Sequence, residues 1–159
     1  PPPAAPVSAA NAYESVSAAN SSESVSAANP APAPTVGTEP LDAVHVQGLR
    51  LWAHVGVLDH ERALGQWFEL EFWLGGDLSR AAVADDLAAS YDYVSAFEAL
   101  RQLCRSLVCR TLEHFSERIL DSLEEVYGPI PIRLELRKCH APIPGFDGTV
   151  SVCRQRRWR

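Results

Sequence analysis

The sequence predicts an α+β domain over residues 41–159, an antiparallel sheet in β-β-α-α-β-β order with two helices on one face. Three observations carry that expectation. Apolar residues alternate with polar ones in four short stretches, the period of a half-buried strand. Between the second and third stretches the spacing changes to that of two consecutive helices. Ahead of them, residues 1–40 have a composition that builds no core.

Leu49, Leu51, Ala53 and Val55 define the first strand. Val44 and Val46 sit on the opposite parity, so the pattern slips by one near Gln47-Gly48, and a bulge at Gly48 would absorb the slip. Phe68, Leu70, Phe72 and Leu74 give the second strand, with Glu69 and Glu71 facing the other way. A first helix is expected over about 93–109, where Phe97, Leu100, Leu103, Cys104 and Leu107 fall at helical spacing. A second, over about 112–127, carries Leu112, Phe115, Ile119, Leu123 and Val126, and Gly128-Pro129 stops it. Ile132, Leu134 and Leu136 make a third strand, and Val150 and Val152 part of a fourth. So small a sheet has open edges, and pairing between subunits is the expected remedy. A homo-oligomer is therefore predicted.

The N-terminal forty residues contain no Lys, Arg, Phe, Leu, Ile or Trp. Val7-Ser-Ala-Ala-Asn11 recurs at 16–20 and 25–29, a nine-residue period, and a Pro/Ala stretch runs from Pro30 to Pro34. Coils with one Val each bury too little apolar surface to form a solenoid. Such a segment cannot offset its ordering entropy, so residues 1–40 are expected to be a disordered extension ending in a semi-extended linker.

The net charge of −6 gives no footprint for nucleic acid or for an anionic membrane. The exception is Arg154, Arg156, Arg157 and Arg159, read either as a solvated chain end or as a contact to a phosphate or a neighbouring subunit. Cys104, Cys109, Cys139 and Cys153 form no C-x-x-C pair and are expected to be buried thiols in a reducing compartment, which points to the cytoplasm. No apolar run approaches the ~20 residues needed to cross a bilayer. The chain opens on Pro1 and has no Met, so its natural start is expected to be missing or removed by processing.

Lys138 has the parity of Ile132, Leu134 and Leu136 and so continues an inward face. A lysine there either snorkels at the strand end or is held in a pocket, where desolvation would suit it to general acid/base work. The loop after it, Cys139 to Gly148, is rich in Pro and Gly and suited to lining a site. Glu113, at the start of the second helix, either supports the helix N-terminus or binds a guanidine-like ligand edge. Glu61 lies between the first two strands, where a glutamate is ordinarily solvated, and Tyr93 opens the first helix, where a tyrosine ordinarily packs. The five histidines show no H-x-H or H-E-x-x-H spacing, so no metal is expected. Neither a Gly-rich phosphate loop nor a G-x-S-x-G elbow occurs.

Together these segments resemble the dihydroneopterin aldolase family, most closely its cyanobacterial form, over about residues 44–157. The resemblance rests on Val44-x-Val-x-Gly-Leu-Arg50, on Gly56-Val-x-x-x-Glu61-Arg-x-x-Gly65-Gln66-Trp-Phe-Glu, and on Asp85-Asp86 ahead of Tyr91-Asp-Tyr93. It continues through Leu112-Glu113-His-x-x-Glu117-Arg and Lys138-x-x-Ala-Pro142-Ile-Pro144-Gly-Phe-Asp147-Gly148. It implies the tunnelling fold, a pterin substrate, and retro-aldol cleavage of 7,8-dihydroneopterin in folate synthesis with no cofactor. It implies that Lys138 is the general acid/base, that Tyr93 helps deliver a proton to the enol carbon, and that Glu61 positions water and contacts a hydroxyl. Glu113 would pair with the pterin's amino and ring N–H groups, and backbone around Tyr91 and Leu112 would complete ring recognition. Gln66 would be nearby and structural. Strands would join across subunits into a barrel-like ring, two rings stacking into an octamer, with sites between adjacent subunits. Two alternatives share the fold: an epimerase acting on dihydroneopterin or its triphosphate, and a non-catalytic pterin-binding assembly protein.

Overall fold

The computed structural model describes residues 42–158, so the expected extension over residues 1–40 lies outside the described residues. The elements run β1 (Ala43–Val55), α1 (Asp59–Leu64), β2 (Gln66–Gly75), α2 (Ser79–Ala84), a 3-10 turn (Leu87–Ala89), α3 (Tyr93–Ser106), β3 (Val108–Cys109), α4 (Leu112–Tyr127), β4 (Ile132–Lys138) and β5 (Val150–Arg156). Strand order is β3-β1-β2-β4-β5. The four long strands are antiparallel neighbours, but β3 lies parallel to β1 through His54–Val108 and Val55–Cys109, so the sheet is mixed. The expected first helix ends at Ser106 because the chain turns extended at Leu107 to make that short pairing.

The slip in β1 is a bulge. Its pairing with β2 shifts between Val46 and Leu49, and Gly48 takes φ +68°. Before it Val44 and Val46 lie opposite Leu74 and Phe72; after it Leu49 and Leu51 lie opposite Leu70 and Phe68. Both halves thus present their apolar side chains to one face, and α3 and α4 cover that face with Ala96, Leu100, Phe115, Ile119, Leu120 and Leu123. Phe68 meets Phe115 edge-on, ring centroids 5.3 Å apart. Burying each such ring contributes roughly 1.5–3 kcal/mol.

Side chains on the opposite face are polar or tryptophan, and the charged ones form a lattice. Arg137 bridges Glu135 at 2.7 Å, Glu71 at 2.8 Å and Glu69 at 3.2 Å. Glu71 also meets His45 at 2.8 Å, and His45 stacks on Trp73. The Arg137 hydrogen bond holds the Glu71 carboxyl below its ordinary range.

Arg154, Arg156 and Arg157 are paired with carboxylates rather than left as a free chain end, and Arg159 lies outside the described residues. Arg154 bonds Glu117 at 2.5 Å; Arg156 reaches Glu117, Asp121 at 2.5 Å and Glu124 at 2.6 Å; Arg157 also reaches Glu124. The run therefore fastens edge strand β5 to α4. Of the cysteines only Cys104 is buried, and burial pushes its thiol up to about 11; Cys109 and Cys139 are half-buried and Cys153 is exposed. No helix among the described residues is long and apolar enough to cross a membrane.

Candidate active site

The register gives the sheet two distinct ends. At one, Ala43 faces Gly75 and Leu74 faces Ile132. At the other, Ala53 faces Gln66, Phe68 faces Lys138, and Lys138 faces Val150. Phe68 and Leu74 stand six positions apart, or about 20 Å along β2.

Four features converge at the second end. Lys138 is the last residue of β4 and lies inward, its side chain only 14% exposed. Its Nζ donates to Glu61 Oε1, and that side chain is 5% exposed. Glu61 is thus not a solvated loop residue. It occupies the third position of α1 and reaches back to accept the Leu58 N–H at Oε2, 3.0 Å, the glutamate half of a capping box. Gln66, the first residue of β2, donates from Nε2 to Glu61 Oε1 at 3.0 Å and to Val55 O at 2.6 Å, so its amide fixes the carboxylate against β1. Burial pushes the Glu61 carboxyl up. The Lys138 hydrogen bond, the Leu58 N–H, Gln66 and the Lys138 charge together outweigh it, and the group sits below its ordinary value.

Gly56 makes this geometry possible. It is buried, and a Cβ there would overlap the Glu61 carboxyl. Gly56 N donates to Cys109 O at 3.0 Å, so the same residue ties this end to β3 and brings the start of α4 alongside. Thr111 caps that helix by accepting the His114 N–H at 3.2 Å. Glu113 stands exposed on its first turn, and Leu112 packs against the core. Lys138, Glu61, Gln66, Leu112 and Glu113 therefore share one end of the sheet.

Tyr91 and Tyr93 do not join them. Tyr91 donates its hydroxyl to Gly75 O at 2.9 Å and meets Tyr127 edge-on, and Tyr127 donates to Asp92 O at 2.7 Å. These bonds lock the start of α3 to the Gly75 end. Tyr93 is 52% exposed there, its ring 6.0 Å from Phe97, so it is a surface residue rather than a packed one. Gly56 stands in a motif of the sequence reading, but its steric role escaped that reading, as did the Leu58 N–H. Their one signal is a glycine five residues before a glutamate, which means little until that glutamate is known to be buried.

Chemically, the cluster offers an amine donor and a carboxylate held in place from three sides, next to an exposed carboxylate at a helix N-terminus. That arrangement can move protons and orient a flat, donor-edged ligand. Among the described residues no three His, Cys, Asp or Glu side chains gather as a metal site requires.

Comparison with known proteins agrees in extent with the described domain. The dihydroneopterin aldolase (FolB) family model matches residues 44–154. A Synechocystis protein named a probable dihydroneopterin aldolase is 34% identical over 112 residues, 70% of this chain and 95% of its own length. The fold is that of the Escherichia coli dihydroneopterin aldolase solved in complex with neopterin, TM-score 0.65 at 23% identity, covering 73% of this chain and 99% of that one. A Burkholderia dihydroneopterin aldolase bound to guanine has TM-score 0.57 at 19% identity, covering 73% and 90%.

Proposed function

The chain belongs to the dihydroneopterin aldolase family, and we propose that it is a lyase of tetrahydrofolate biosynthesis. It cleaves 7,8-dihydroneopterin by a retro-aldol reaction to 6-hydroxymethyl-7,8-dihydropterin and glycolaldehyde. The observation that carries this reading is the buried Lys138–Glu61 pair, braced by Gln66 and the Leu58 N–H at the sheet end where α4 begins.

The chemistry needs a base, an acid and an electron sink. Removing a proton from the side-chain hydroxyl lets the neighbouring carbon–carbon bond break and releases glycolaldehyde. The electron pair passes into the ring C=N bond and N5 takes up a proton; the resulting enol carbon is then protonated while N5 gives its proton back, which restores the ring C=N. Because the dihydropterin supplies its own sink, neither a lysine imine nor a divalent metal is required. We assign proton transfer at the hydroxyl and N5 to Lys138, and water positioning and hydroxyl contact to Glu61. Glu113 receives the amino and ring N–H edge in two parallel charge-assisted bonds. Guanine, bound to the Burkholderia relative, presents the same kind of edge. Backbone near Tyr91 and Leu112 completes ring recognition, and Tyr93 helps protonate the enol carbon.

Tyr91, two residues before Tyr93, is bonded at Gly75, about 20 Å along β2 from the Phe68 that faces Lys138. That separation supports a site shared between subunits, with Lys138, Glu61 and Glu113 from one chain and Tyr93 from the next. We therefore propose a homo-oligomer of stacked rings, an octamer. The four free cysteines suit a reducing compartment, and we assign the enzyme to the cytoplasm. Arg154, Arg156 and Arg157 are engaged by α4 carboxylates rather than held for a phosphate chain, which favours dihydroneopterin over its triphosphate as substrate.

Product analysis of purified protein with 7,8-dihydroneopterin, in strong chelator and beside Lys138→Ala, tests the reading. Glycolaldehyde and the hydroxymethyl pterin from wild type, with loss of roughly 10²–10⁴-fold in the variant, is the expected outcome. A predominance of the side-chain epimer would make the protein an epimerase, and turnover indifferent to the substitution would sink the assignment of Lys138.

A further inference from the structure

α1 is six residues long, too short to be stable by itself, and it has no apolar anchor. Asp59, His60, Ala63 and Leu64 are exposed, and Glu61 is the one buried side chain of the helix. A helix on a protein surface ordinarily keeps its place by burying an apolar face. This one is kept in place by polar bonds, and several of them converge on Arg62, the residue after Glu61.

Arg62 is tied to the end of β1 and the turn beyond it through both side chain and main chain. Its Nη1 donates to Gly56 O at 2.5 Å and to Val57 O at 2.6 Å, and its Nη2 meets Asp59. Its main-chain carbonyl accepts from His54 Nδ1 at 2.7 Å. The bond to Asp59 adds little, because that carboxylate is 99% exposed and its attraction is screened by water. The two carbonyls matter more, since they belong to the residues that carry the chain from β1 into α1.

Val57 O and the Leu58 N–H are opposite ends of one peptide unit. That unit is planar, so the two ends move together. Arg62 fastens the carbonyl end, and the amide end donates to Glu61 Oε2 at 3.0 Å. The guanidinium thereby sets the direction from which the Glu61 carboxylate is held. Gly56 N, bonded to Cys109 O at 3.0 Å, anchors the turn on its other side.

We propose that Arg62 is a positioning residue: by fixing the Val57–Leu58 peptide it aims the Leu58 N–H at Glu61 and sets that carboxylate against Lys138. This role rests on the assignment of Lys138 and Glu61 to the cleavage reaction, and it requires no contact between Arg62 and the substrate.

Arg62→Ala and Arg62→Lys test it with two readouts. One is the steady-state kinetics with 7,8-dihydroneopterin. The other, independent of turnover, is the titration of the Glu61 carboxyl followed by NMR with isotope-labelled glutamate. In wild type, burial raises that carboxyl, and the bonds from Lys138, the Leu58 N–H and Gln66 outweigh it to hold the group below its ordinary value. Arg62→Ala is expected to lose roughly 10–100-fold in kcat with KM within about threefold of wild type, and to move the Glu61 titration upwards. Arg62→Lys keeps the charge without the fork and should recover part of both. A rise that it shares with Arg62→Ala therefore comes from the turn and not from lost charge. Should Arg62→Ala fail to fold, Arg62→Lys carries the same two readouts. Turnover within about twofold of wild type in both variants overturns the role. So does a loss of turnover while Glu61 titrates as in wild type, because Arg62 would then support only the fold. Absence of cleavage by the wild type would count against the aldolase reading alone, and the titration would still decide the role of Arg62.

Discussion

At the Lys138 end of the sheet, charged atoms enter the interior and are held by one another: amine on carboxylate, carboxylate on amide and backbone N–H. At the Gly75 end, the polar atoms of Tyr91 and Tyr127 bond only to main-chain carbonyls, and Tyr93 is left facing outward with half its surface exposed. The first arrangement preorganises reactive groups and accepts desolvation to do so. The second spends no reactive group in the interior; it fixes the start of a helix and presents one phenol at the surface. Under the proposed shared site, the buried proton relay comes from one chain and the phenol from the next.

That contrast can be broken by mixing. Lys138→Ala and Tyr93→Phe should each lose most of the cleavage activity, Lys138→Ala by roughly 10²–10⁴-fold. Co-assembled, the two should recover a clear fraction, because some sites then join an intact Lys138 to an intact Tyr93. Mixed assemblies no more active than the better parent would overturn the site shared between chains. Gly56→Ala sharpens the comparison next. The added methyl meets Glu61 in a buried site, so urea unfolding should show a loss of about 1–3 kcal/mol along with reduced turnover.

A smaller effect concerns pH. The Glu61 carboxyl lies below its ordinary value of 4.5 when folded, so its stabilising contribution is fully present above that value and is lost as pH falls through the folded value. Wild type should therefore exceed Glu61→Gln in thermal stability at about pH 7, and the gap should close towards about pH 3. A gap that does not change over that range would mean that the carboxylate gains nothing from its charge. Smallest is Tyr91→Phe at the other end. Loss of the bond to Gly75 O should cost about 1 kcal/mol by chemical denaturation, with little change in turnover.

Much of this molecule is legible in its sequence because the information is local. The alternation at 49–55 and 68–74, the parity that carries Lys138 inward, the slip at Gly48 and the span of α4 all follow from a few neighbouring residues. The residues missed depend on distant partners. Glu61 reads as exposed until Lys138, 77 positions later, is laid beside it. The C-terminal arginines read as a solvated tail until α4, 32 to 39 positions earlier, supplies their carboxylates. β3 is two residues long and α1 six, too short for any periodicity, and both exist because neighbouring elements complete their hydrogen bonds. The separation of the tyrosines from the lysine was equally hidden, since a list of motif residues carries no distances.

The bulge at Gly48 acts as a phase corrector for the whole edge of the molecule. Upstream of it Val44 and Val46 face the core, and downstream Leu49, Leu51, Ala53 and Val55 do, although the two sets are out of step in the chain. Deleting that single glycine would bring the two sets onto one parity, so an unbulged strand could keep both inward and the device would no longer be needed. A β-branched residue in its place is the harsher change, because it must take φ +68°, the left-handed region that favours glycine. If the strand straightened instead with every residue kept, one half would turn inside out. The downstream half has four buried side chains to lose, so the upstream half would rotate, sending Val44 and Val46 into solvent and His45 inward, away from Glu71 and Trp73.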